Sequence, residues 1–102
     1  MELTDKCKVD FEKWYNSNLL TIQGRNIYCI EIHYIPKNML YGVYVDFFDE
    51  NDIQISVRKS VVHGYYFVVT DDNENHLPQK TRNESRTEAI KKANEIYNGI
   101  NQ

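Results

Sequence analysis

Met39-Leu40-Tyr41-Gly42-Val43-Tyr44-Val45-Asp46-Phe47-Phe48 is the run whose reading decides how the rest of the chain is assembled. With a period of two, Tyr41, Val43, Val45 and Phe47 share one face and Gly42, Tyr44 and Asp46 the other, the pattern of a half-buried strand. Pro36-Lys37-Asn38 in front of it reads as a turn, because asparagine tolerates the positive φ of a tight hairpin. Ile27–Ile35 before that turn also alternates, with Tyr28, Ile30, Ile32 and Tyr34 against Cys29, Glu31 and His33. On the far side, Asp49-Glu50-Asn51-Asp52 reads as a loop into Ile53, Ile55 and Val57, which alternate with Gln54, Ser56 and Arg58. Lys59-Ser60 then turns into Val61–Thr70, apolar on both faces. The connections are too short for parallel crossovers, so these runs predict a four-stranded antiparallel meander.

Helical spacing flanks the meander. Thr4 is the expected N-cap of a helix from Asp5 to Asn18 that carries Cys7, Phe11, Trp14 and Tyr15 on one side. Asp71 to Glu84 is a polar loop. Ser85-Arg86-Thr87-Glu88 then fits a capping box that opens a helix with the apolar stripe Ala89, Ile90, Ala93, Ile96, Tyr97 and Ile100, stopped by Gly99. The expected architecture is therefore one α+β domain over 1–102 in the order α-β-β-β-β-α, with both helices on one sheet face.

The chain has 102 residues, 41% hydrophobic and 26% charged, with net charge −3 and only four glycines and two prolines. That composition excludes collagen-like and linker-like chains, and the longest apolar runs are far short of the roughly 20 residues of a membrane span. No membrane partner is expected. Two cysteines are too few for a secreted disulfide framework, so Cys7 and Cys29 are expected reduced, and the chain reads as cytoplasmic. Glycine clusters for a nucleotide cradle, zinc-ligand spacing and nucleophile motifs are all missing, so neither cofactor nor metal is expected.

The predicted register fills the sheet face away from the helices with polar groups. A hairpin centred on Lys37-Asn38 sets Glu31 opposite Tyr44, and a Glu50-Asn51-Asp52 loop sets Tyr44 opposite Arg58. Glu31, Tyr44 and Arg58 would then form a row, with His33 beside it. Glu31, His33 and Arg58 are the types that an acid–base ribonuclease uses to take a hydroxyl proton, protonate a leaving group and stabilise phosphate charge. A solvated face laced with cross-strand charge pairs has the same composition. For the last hairpin, a two-residue turn exposes Tyr65 with His63, and a three-residue turn exposes Tyr66 with Gly64.

The segments Tyr41–Asp49, Thr87–Ala93 and Cys7–Tyr15, with Phe11 and Trp14, resemble small proteins encoded by phages and prophages. That resemblance implies a mobile-element origin and transfers no active-site residue. The helix–sheet–helix order and the closing Ser85, Glu88-Ala89, Lys91 and Lys92 are also similar to double-stranded-RNA-binding domains. The chain differs from them by a fourth strand and by lacking their Gly-Pro-x-His loop. Only Arg86, Lys91 and Lys92 correspond to that family's binding residues.

Three functional readings follow. The first is a non-enzymatic interaction module for a protein partner or a second copy of itself, using Tyr44, Arg58 and Tyr65. A homodimer would be favoured by a strand edge carrying Phe67 and Val69. The alternative is nucleic-acid binding by the basic segment 80–92, with Arg86, Lys91 and Lys92, and by exposed tyrosines. The second alternative is the ribonuclease-like hydrolase on the open sheet face.

Overall fold

A second periodicity is embedded in the run 39–48. Leu40, Val43, Tyr44, Phe47 and Phe48 fall at i, i+3, i+4, i+7 and i+8, and in the computed structural model the chain follows this one. The structure describes residues 2–17, 35–62, 64–74 and 76–101. Its elements are α1 (Asp5–Ser17), α2 (Lys37–Glu50), β1 (Ile55–Ser60), β2 (Gly64–Val69) and α3 (Arg82–Ile100). Among the described residues the sheet has two antiparallel strands, β1 and β2. The predicted four-stranded meander is thus overturned: its second strand is α2. Its first strand falls on Ile27–Ile35, which apart from Ile35 lies outside the described residues. The broader expectation of an α+β chain with an antiparallel sheet holds.

Burial explains why the helix wins. As a strand, 39–48 sends Tyr44 and Phe48 to the face opposite Val43 and Phe47. As a helix it buries all four, with Phe48 fully covered. Each large apolar side chain moved out of water contributes roughly 1.5–3 kcal/mol, so gaining two outweighs a β-propensity preference of about 1 kcal/mol. The residues read as turns become helix ends. Pro36, with φ −58° and ψ 145°, sits at the N-cap, and its carbonyl accepts from the amides of Met39 and Leu40 at 3.0 Å. At the other end Asp52 takes a left-handed φ of 63°. The Ile53 amide then donates to Phe48 O at 2.8 Å and the Asp52 amide to Asp49 O at 3.1 Å. This is a Schellman stop with aspartate where glycine is usual. Asp52 therefore does have the conformational tolerance a tight turn needs, used here to end a helix.

β1 pairs with β2 from Ile55↔Val69 to Ser60↔Gly64, so the connection is 61–63 rather than Lys59-Ser60. Of the two turn lengths considered, the three-residue one agrees: Tyr66 is exposed, whereas Phe67 and Val69 are buried. Gly64 has φ +94°, and a Cβ there would lie 2.5 Å from Gln79 O. That close approach lets Tyr65 exchange two backbone hydrogen bonds with Gln79, at 2.9 and 2.7 Å, which ties the polar loop back to β2.

α3 starts one turn before the predicted Ser85 box. Thr81 is the N-cap: its Oγ1 accepts from the Glu84 amide at 3.1 Å while its hydroxyl meets Glu84 Oε1 at 3.1 Å. Thr81-x-x-Glu84 and Ser85-x-x-Glu88 are both capping-box patterns one turn apart, and the chain uses the first. Ser85 is instead fully buried, with its Oγ lacking a partner. Gly99 lies inside the helix, which runs to Ile100.

The cap of α1 comes from another element. Cys7 N donates to Asn98 Oδ1 at 2.8 Å and Thr4 N to Asn94 Oδ1 at 2.9 Å, so two asparagines of α3 satisfy amides that an N-terminal helix end leaves free. The Thr4 hydroxyl, expected to cap α1, accepts from Asn94 Nδ2 at 2.9 Å. Tyr97 completes the contact by donating its hydroxyl to Asp10 Oδ2 at 2.7 Å. Between α1, α2 and α3 lies an aromatic core. The Phe47 ring sits 5.4 Å from Phe11 and 5.5 Å from Tyr97, and Phe11 lies 4.9 Å from Tyr44. No helix among the described residues is long and apolar enough to cross a membrane.

Candidate functional site

The early start of α3 sets up the site. With Thr81 as cap, Arg82 is the first helical residue and Arg86 stands one turn later on the same side. Each guanidinium lies over a tyrosine ring: Arg82 at 5.4 Å from the Tyr65 centroid and Arg86 at 4.8 Å from that of Tyr41. A guanidinium over a ring leaves N–H donors for an acceptor, and the contact itself contributes about 0.5–2 kcal/mol. Both arginines line a groove of about 410 Å³ between α2, β1 and the start of α3, with Tyr41, Val45, Ile55 and Val57 along its walls. Arg86 Nε is buried and has no hydrogen-bond partner. Native chains rarely leave a buried charged donor unpaired, because doing so costs on the order of 1–3 kcal/mol. Burial raises the Tyr41 hydroxyl pKa, against the opposing charge of Arg86, so this ring stays neutral and stacks as a phenol.

Positive charge continues around the end of the sheet. Lys59 is paired across the strands with Tyr65, and Arg58 with Tyr66. Among the described residues, none of Arg58, Lys59, Lys80, Arg82 and Arg86 takes part in an ion pair; the same holds of Lys8, Lys13 and Lys91, whereas Lys6 and Lys92 are paired. The nearby acids are engaged: the Glu84 carboxylate meets the Thr81 hydroxyl, and Asp46 on the groove wall has an interaction of its own. A chain of net charge −3 thus gathers at one end five cations that have no ion pair among the described residues.

The basic segment 80–92 does not act as one surface. Lys92 Nζ lies 2.8 Å from Glu74, 3.5 Å from Glu95 and 3.9 Å from Asp72, so its charge is satisfied internally. The Glu74 hydrogen bond, reinforced by these carboxylates, raises its pKa. Lys91 is exposed, half a helical turn from the side that carries Arg82 and Arg86. Asp72, Glu74 and His76 bring three ligand atoms within 4.8 Å of one another, a grouping the sequence reading missed because it lies on an irregular loop. The Lys92 ammonium already serves as their counter-ion. His76 Nε2 is 2.8 Å from Asp72 Oδ2, and the His76 ring packs 4.6 Å from Phe67. Burial pushes the Asp72 carboxyl up, but the Glu74 amide, His76 and Lys92 outweigh it and leave the pKa below the usual value. The cluster fastens the loop to α3.

Of the residues singled out from sequence, Arg86 lies over Tyr41 and Tyr65 under Arg82, and Arg58 lies exposed on the other face of the sheet, across from Tyr66. Tyr44 does not: it is on α2, buried against Phe11. The row Glu31–Tyr44–Arg58 is therefore corrected, since it required Tyr44 on a strand beside β1. Glu31, His33 and His63 lie outside the described residues. Tyr41 and Lys59 join the site without having been proposed for it, and of the proposed basic segment 80–92 Arg82 joins Arg86 there. The overlapping Thr81-x-x-Glu84 box was the signal that would have placed Arg82 one turn from Arg86. No family model, curated protein or solved structure matches the chain.

Proposed function

We propose that this chain is a non-enzymatic binding module whose partner is a polyanion, engaged by the arginine–tyrosine groove and the lysines beside it. The observation that carries the reading is the group of five cations at one end that have no ion pair among the described residues, two of them over tyrosine rings, with a buried Arg86 donor that has no hydrogen-bond partner among the described residues. Tyrosine and arginine are the residues that dominate binding energy at contact surfaces, and stacked arginines lose little entropy when they bind. A phage or prophage origin belongs to the same proposal and rests on the sequence resemblance alone.

Retention of the purified chain on immobilised heparin tests the reading. At about 50 mM salt the chain is expected to bind despite its net negative charge, and to elute as salt rises and screening shortens. Arg82→Ala/Arg86→Ala is expected to elute earlier. Lys59→Glu, a change at an exposed position that leaves the core untouched, is expected to do the same. Passage of the wild-type chain through the column at low salt overturns the proposal.

A further inference from the structure

We infer that the polyanion is a single-stranded nucleic acid, bound with its bases against the tyrosine and arginine planes and its phosphates on the flanking cations; this rests on the polyanion reading and narrows it. What favours nucleic acid over an acidic peptide is how rings and charges alternate. Arg82 lies over Tyr65 and Arg86 over Tyr41, while Lys59 faces Tyr65 and Arg58 faces Tyr66 across the strands. Four of the five cations at this end of the molecule therefore adjoin a ring. A carboxylate-rich peptide uses the charges and has no use for the flat faces. A strand of bases uses both, because every base has a face to stack and a phosphate one step away.

Size favours a single strand over a duplex. The groove holds about 410 Å³. Its floor is β1, a six-residue strand, hence about 20 Å long. A nucleotide or a few fit such a space, whereas a duplex about 20 Å across would meet only the rim. Tyr66, 37% exposed, and Arg58 stand on the outer face of the same two strands, so a strand leaving the groove around the sheet end meets a further ring and a further cation.

The test is fluorescence anisotropy with the full chain and a labelled oligothymidylate of about 12 nucleotides, beside a duplex of equal length and poly-glutamate as competitor. The single strand is expected to bind at least about tenfold more tightly than the duplex. Its log K should fall against log salt with a slope near −0.7 per phosphate contacted, no steeper than about −3.5 for five cations. Poly-glutamate is expected to compete poorly. Tyr66→Ala, at an exposed position, is expected to weaken the oligonucleotide by about fivefold or more while leaving the salt slope unchanged, as loss of stacking does. Arg82→Ala is expected to make the slope shallower. Equal affinity for duplex and single strand, effective competition by poly-glutamate, or an unchanged affinity in Tyr66→Ala would each overturn this inference, and heparin retention would still support the broader reading. Failure to bind both heparin and oligonucleotide overturns the two together.

Discussion

Tyr97 shows how much a single side chain does here. Its ring closes the aromatic core against Phe47 and Phe48, and its hydroxyl reaches Asp10 on α1. The Tyr97 hydrogen bond is the main reason that the Asp10 carboxyl sits below its ordinary pKa, with burial opposing and Lys6 and Lys13 assisting. Because the folded-state pKa is depressed, the stabilisation is complete above the unfolded value and is lost as pH falls through the folded one. Tyr97→Phe is expected to cost about 1 kcal/mol at neutral pH, the net worth of a hydrogen bond to a partly solvated charge. It should also flatten the acid limb of stability against pH, read by urea midpoints between neutral pH and the acid transition. Cys7 shows the opposite behaviour: burial, with a smaller contribution from Asp10, pushes its thiol up to about 12, so it packs and does not react. At this scale the sequence was partly legible. Cys7 as a buried member of the apolar side of α1 was readable because it depends on residue type and spacing. Tyr44 was misplaced because its surroundings depend on the element that carries it.

Elements were harder to read where two patterns shared one segment. The run 39–48 satisfies period two and period 3.6 together, and periodicity alone does not choose between them. What chose was the number of aromatic side chains each conformation buries, a property of α1 and α3 as much as of the run itself. The outer helices were legible because their polar residues are spaced in only one way. At the start of α3 two capping boxes compete, and stability measurements should separate them. Thr81→Ala is expected to cost about 1 kcal/mol, within the range of 0.5–2 for a lost N-cap. Ser85→Ala should be neutral or stabilising, because it removes a buried hydroxyl that has no partner. A larger loss in Ser85→Ala than in Thr81→Ala would show that the helix begins at the later box. That boundary also matters for binding, since a start at Ser85 would take Arg82 off the helix and out of line with Arg86.

Across the whole molecule, the first and last helices hold each other's polar groups over separations of 87 to 94 residues. None of this was visible in the pattern of either helix, because Asn94 and Asn98 look like ordinary polar positions until Thr4 and Cys7 stand opposite them. Asn98→Ala removes the acceptor of the Cys7 amide and a donor to Thr4 O. It is expected to cost about 1–2 kcal/mol. By hydrogen exchange, protection should fall first in the opening turn of α1, while the β1–β2 pairing keeps its own. Uniform loss across the chain would mean that the contact is merely one part of a single cooperative unit. The same closure sets a timetable for synthesis. α1 leaves the ribosome before α3, with Phe11 and Trp14 uncovered, and its caps follow some ninety residues later. At about 5–20 residues per second that interval is roughly 5–18 s. For that time the nascent helix is an exposed apolar stripe, and the chain depends on whatever keeps such stripes apart in the cell that makes it.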